Sequence, residues 1–158
     1  MNILRLIRLL IVGVILLFLV SLGVSLLIPS EIKISRAIDI HADKDSVYKL
    51  LVNKDNWRLW NPLFSGNNIE NYKRIRVTPL TLTDSILLYR FDQNGKKPVY
   101  NSWHLYMGGA NSVTVQWYID ITLRWYPWEK FKSLFFENTF GMNMEQGLKN
   151  LKNRVEGN

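Results

Sequence analysis

The sequence contains no cysteine. That single absence excludes a disulfide framework, a thiolate nucleophile, a zinc knuckle, an iron–sulfur cluster and a lipidated cysteine. Imidazole is nearly as scarce. His41 and His104 are the only two histidines, and two without thiolates make a poor zinc site, so no metal and no cofactor is expected. A Ser-His-Asp system would need a specific turn and partners that the sequence does not supply. Low-complexity tracts and internal repeats are also missing, and within residues 31–158 no linker is long enough to separate two domains. Basic residues are spread out and interleave only loosely with aromatics. The net charge of +7 therefore reads as solvated surface or attraction to anionic headgroups, with no nucleic-acid partner.

What the chain does have is apolar and aromatic residues, 47% and 13% of its 158 positions. This is enough for a packed core and too much for a disordered tail. From Leu9 to Ile28 there are 20 residues without a charge, and a helix of about 20 residues crosses a hydrocarbon layer of about 30 Å. A cleaved signal peptide is the rival reading, since Arg5 and Arg8 form a basic leader and Ser21-Leu22-Gly23 imitates a cleavage site. Apolar sequence continues past that site to Ile28, where a cleaved signal would turn polar, so residues 1–30 read as a retained transmembrane anchor. Arg5 and Arg8 favour an N-terminus-inside, single-pass arrangement, with residues 31–158 outside the cytoplasm. Pro29 and Ser30 end the helix.

Residues 31–158 read as one α+β unit. Glu31 to Ile40 alternates in the manner of a half-buried strand. Asp43 or Asp45 can cap a short helix carrying Val47, Leu50 and Leu51, and a second helical turn ends at Asn61-Pro62. Residues 63–72 read as loop, with strands resuming near Arg74. Thr83 to Asp92, Pro98 to Met107 and Val113 to Leu123 read as strands, separated by the turn signals Asn94-Gly95 and Gly108-Gly109-Ala110-Asn111. The pattern then turns helical. Pro127 suits a first helical position. Trp128, Phe131 and Phe135 form one stripe, and Met144, Leu148, Leu151 and Val155 form another. The two stripes lie on opposite sides of a continuous helix, so Gly141 is the expected kink or break.

Three stretches carry a resemblance: IKISRAIDIHADKDSVYKLLVNKDNWRLWNP at Ile32 to Pro62, WYPWEKFKSLFFE at Trp125 to Glu137, and GMNMEQGLKNLKNRVE at Gly141 to Glu156. On these the chain resembles the START-like or SRPBCC superfamily and, within it, the polyketide cyclase/dehydrase-like proteins. The resemblance implies a helix-grip fold, in which a curved antiparallel sheet wraps around a long C-terminal helix, preceded here by one transmembrane helix. It also implies an apolar cavity between sheet and helix for a lipid or other hydrophobic small molecule. The stretch between Pro62 and Leu123 is shorter than the usual run of six strands, so a short or missing early hairpin is expected. No catalytic residue set is shared across the superfamily, and none is carried over.

The cavity positions that follow are Trp60, Tyr89, Asn101, Trp103, Trp117, Ile119, Phe135 and Leu148. Asn101 is the polar exception on an inward face and must be hydrogen-bonded by protein, water or ligand. Trp60, Trp103, Trp117, Phe131 and Phe135 are core-building aromatics by default, and in a cavity-forming fold some of them would line the pocket instead. His104 shares a face with Tyr100, Ser102 and Tyr106 and should point to solvent, and His41 reads as a turn residue. Asp84 and Asp120 show no partner for paired acid–base work. Three functions remain open. One is a membrane-anchored binder of a hydrophobic small molecule or lipid, another a cyclase- or dehydratase-like enzyme using an inward Tyr or Asn to polarise a carbonyl, and the third a ligand-free envelope interaction protein.

Overall fold

The computed structural model describes residues 3–65, 74–109 and 111–157. Two compact units are present. The first comprises the chain up to Ser30 together with Leu123–Leu134, and the second Glu31–Thr122 together with the chain from Phe135 onward.

In the first unit, α1 (Ile3–Leu26) is one uninterrupted helix of 24 residues. It is long and apolar enough to cross a membrane. Its large side chains are exposed along its length, from Ile3 to Leu26. The second helix of this unit, α3 (Pro127–Ser133), starts with Pro127 in its first turn, where the missing N–H costs nothing.

The second unit is a five-stranded antiparallel sheet with helices on one side. Its strands are β1 (Glu31–Ile40), β2 (Ile75–Leu82), β3 (Ile86–Gln93), β4 (Val99–Met107) and β5 (Val113–Thr122). Their spatial order is β1-β5-β4-β3-β2, so the first and last strands in sequence are neighbours, paired from Glu31 opposite Thr122 to Ile40 opposite Val113. Between β1 and β2 run α2 (Lys44–Val52) and two 3-10 turns, Lys54–Leu59 and Pro62–Phe64. Asp43 caps α2 by accepting from the Ser46 backbone N–H at 2.8 Å. Asn61 caps the second 3-10 turn, which occupies part of the stretch expected to be loop. From Gly66 to Lys73 that loop lies outside the described residues, as does Ala110 of the second turn signal.

The helix α4 (Phe136–Glu156) is the long C-terminal element that the curved sheet grips. It is continuous through Gly141, contrary to the break expected there. The interruption falls earlier, at Leu134-Phe135, between α3 and α4. Gly141 has a different task. A Cβ there would collide with the guanidinium of Arg36 on β1, which reaches over α4 to Glu137 at 2.7 Å and Glu145 at 2.8 Å. The helix buries Met144, Gly147, Leu148 and Leu151.

Candidate functional site

The inward face of the sheet meets α4 and the two 3-10 turns in a core dominated by indole. Trp57, Trp60, Trp103 and Trp117 are all fully buried. Sheet register explains half of this cluster, because Trp103 on β4 pairs directly with Trp117 on β5 and both face inward. The 3-10 turns bring the other two. Ring centroids are 5.4 Å apart for Trp103 and Trp117, 5.7 Å for Trp60 and Trp117, and 5.2 Å for Trp57 and Trp103. Trp57 also meets Tyr89 edge-on at 5.0 Å and stacks on Phe91 at 5.7 Å. Such tilted and edge-to-face pairs are the favoured aromatic geometries.

Of the expected cavity positions, Trp60, Tyr89, Asn101, Trp103, Trp117, Ile119 and Leu148 are all buried in this second unit. Phe135 is not among them. It is 66% exposed, because it stands at the N-terminal cap of α4 and not on its core-facing stripe. Of the other members of its stripe, Phe131, expected to build core, is half-buried, and Trp128 is exposed. Trp57 and Phe64 belong to the cluster although the sequence reading did not place them there. The signal for Trp57 was present in its spacing of three from Trp60.

Polar groups inside the cluster are few. Three of the four buried indoles have acceptors: Trp57 Nε1 donates to the Leu51 carbonyl at 2.7 Å, Trp60 Nε1 to the Leu50 carbonyl at 3.3 Å, and Trp117 Nε1 to Asn101 Oδ1 at 3.1 Å. Asn101 is thus satisfied from within the protein, by a side chain. The fourth indole, Trp103, keeps its Nε1–H without an acceptor, and Asn61 Nδ2 is likewise unpaired. A buried donor without an acceptor costs about 1–3 kcal/mol. The Tyr89 hydroxyl donates to the Val52 carbonyl at 2.8 Å. Burial, with Tyr48 nearby, pushes its ionisation up to about 12, so it serves as a donor and not as a base.

The remaining candidates have ordinary structural partners. His104 is half-buried, its ring edge-on to Tyr118 at 5.0 Å and its Nδ1 3.4 Å from the Tyr106 hydroxyl. Desolvation and then Lys33 lower its pKa, against the opposing pull of Asp120. His41 ends β1, its backbone N–H donating to Glu156 at 2.7 Å. Asp84 pairs with Lys44 at 3.0 Å and Asp120 with Lys33 at 3.7 Å. Among the described residues no group of His, Asp or Glu comes together to hold a metal. Two surface depressions accompany these pairs, one of about 310 Å³ beside Lys44, Tyr48 and Asp84, the other of about 450 Å³ beside Lys33 and Asp120. Both open to solvent.

No family model matches the sequence, and no curated protein matches it either. Solved structures do resemble the fold. A START superfamily protein from Mycobacterium smegmatis superposes with a TM-score of 0.58 at 14% identity, over 79% of this chain and 97% of that one. The Zhui aromatase/cyclase from Streptomyces sp. R1128 gives 0.56 at 12% identity, over 80% and 94%. The di-domain aromatase/cyclase StfQ of the steffimycin biosynthetic pathway gives 0.59 at 11% identity, over 80% of this chain and 51% of that one. Sheet order, gripped helix and these likenesses agree: the chain has the helix-grip fold of START-like proteins.

Proposed function

We propose that the protein is a membrane-tethered binding module for a small apolar molecule that carries a hydrogen-bond acceptor. The observation that carries this reading is the unpaired Trp103 Nε1–H at the centre of the core, in a cluster where every other indole N–H has its acceptor. A ligand carbonyl or hydroxyl entering between the sheet and α4 would satisfy it, with apolar burial supplying affinity. Fold likeness to START-like and aromatase/cyclase proteins supports such use of this region. Tethering falls to α1. The 20-residue uncharged stretch from Leu9 to Ile28, most of it in α1, would leave a large apolar surface exposed in water.

One observation favours a second reading, a ligand-free interaction module. A Cβ on Gly147 would lie 3.1 Å from the Trp117 ring and 3.2 Å from Pro62, so α4 is packed tightly onto the indoles and a guest must push them apart. Native mass spectrometry of the full chain in mild detergent, followed by organic extraction, separates the two. A co-purifying apolar molecule that is lost in Trp103→Phe, with the secondary structure unchanged, supports the binding module. A bare chain that takes up no fatty acid, sterol or polyketide from a panel overturns it in favour of the second reading.

A further inference from the structure

The helix α3 is built inside out for a water-soluble protein. Its buried face consists of Pro127, Lys130 and Ser133, at spacings of three. Its outward residues are Trp128 and, at its end, Leu134, with Trp125 just before it. Trp125 and Trp128 are 64% and 62% exposed, whereas Lys130 is only 4% exposed. A helix in water does the reverse, hiding tryptophan and hydrating lysine.

Lys130 shows why this arrangement holds. Its Nζ donates to the Ile28 carbonyl and to Ser30 Oγ, both at 2.7 Å. Ile28 closes the apolar stretch two residues beyond the end of α1, so the ammonium ties α3 to the exit of that helix. The Leu123 N–H adds a bond to the Ser30 carbonyl at 2.7 Å. The outward aromatics are stiffened by contact with one another: Tyr126 and Trp128 stack at 4.8 Å, and Trp125 packs on Tyr126 at 5.0 Å. Leu26 and Leu27, exposed beside the same junction, extend the apolar surface.

We propose that Trp125, Trp128 and Leu134 form a collar that seats in the headgroup layer of a lipid bilayer, around the exit of α1. The proposal rests on the reading of α1 as a membrane span. Given that span, Ile28 lies at the edge of the hydrocarbon, about 15 Å from the midplane. Lys130 then fixes the two tryptophans at that depth, where amphipathic rings are most at home. Exposed Lys132 on the same helix faces the headgroups, which suits an anionic surface. Continuity of the exposed aromatic surface with the end of the span is what identifies lipid, and not a protein partner, as its occupant.

The chain offers its own probe. Of six tryptophans, four are fully buried and only Trp125 and Trp128 are exposed. The full chain would be reconstituted into phosphatidylcholine/phosphatidylglycerol vesicles containing lipids brominated either near the headgroup or deep in the acyl chain, then washed with alkaline carbonate. The expected result is retention after the wash and blue-shifted emission. Quenching should be stronger from shallow than from deep bromines and weak from aqueous iodide. Trp125→Phe/Trp128→Phe should abolish the lipid-quenchable fraction while sparing the buried signal, and Trp125→Gln/Trp128→Gln should do the same with an unchanged circular dichroism spectrum. Retention with iodide quenching and no bromine quenching overturns the collar and leaves the span standing. Release by carbonate overturns both.

Discussion

Replacing Asn101 by leucine tests the central hydrogen bond of the core. Leucine keeps the branched outline of the amide without its polar atoms, so no cavity is opened, but Trp117 Nε1 loses the acceptor that it now reaches at 3.1 Å. Both residues are buried, so water cannot replace the lost partner. An N–H orphaned in this way costs about 2 kcal/mol, and for a chain of this length that corresponds to a fall in Tm of about 4–8 °C. Removing both partners together should cost less than the sum of the single changes, because the double variant leaves neither an orphan donor nor an orphan acceptor. The assay is thermal and urea unfolding of the full chain in detergent for Asn101→Leu, Trp117→Phe and the double variant, followed by circular dichroism. A coupling of about 1–2 kcal/mol is expected. Strict additivity, or an Asn101→Leu variant as stable as the parent, would refute the assignment of this bond as the polar anchor of the cluster.

Gly147→Ala sets a helix-propensity gain of about 1 kcal/mol against overpacking into Trp117 and Pro62, both of them stiff rings. Overpacking of this kind costs about 1–3 kcal/mol, so the variant should unfold at lower urea. Arg36→Gln leaves Glu137 and Glu145 without their shared cation. All three groups are partly exposed, so a loss of about 1 kcal/mol is expected, one that shrinks in 1 M salt, as unfolding at two ionic strengths will show. His104 has a folded-state pKa below its ordinary 6.5, so the unfolded chain binds the proton more tightly. Its contribution to stability is complete above pH 6.5 and declines as pH falls below that value, and His104→Gln should flatten the measured stability slope between pH 7 and 5.

The sheet was legible in the sequence wherever one face is wet. β5 alternates strictly, so its inward Val113, Val115, Trp117, Ile119 and Ile121 could be read directly, and β1 was bounded correctly for the same reason. The C-terminal region differs from its pattern at Gly141, where the helix continues, and at Phe135, which is exposed. A period of three to four marks which residues share a helix face but not whether that face meets protein, water or lipid. Lys130 at a buried position overrules hydrophobicity because it answers the Ile28 carbonyl just beyond α1, a partner 102 residues distant in sequence. The indole cluster was legible in its members from the sheet, but Trp57 and Phe64 arrive on 3-10 turns whose periodicity is too short to read. The unpaired Trp103 N–H depends on where acceptors lie in three dimensions, and no sequence pattern reports that.

The pairing of β1 with β5 has a consequence for biogenesis. Ile40 waits for Val113, and Glu31 for Thr122, so about 70–90 further residues must be translated before the first strand finds its neighbour β5. At about 5–20 residues per second, that strand spends several seconds with both edges open. Lys33, Arg36 and Asp39 place charges along it, and such charges discourage pairing with other nascent chains during that interval. Arg36 therefore serves twice in the life of the molecule, first as a guard against wrong partners and later as the clasp that receives Glu137 and Glu145.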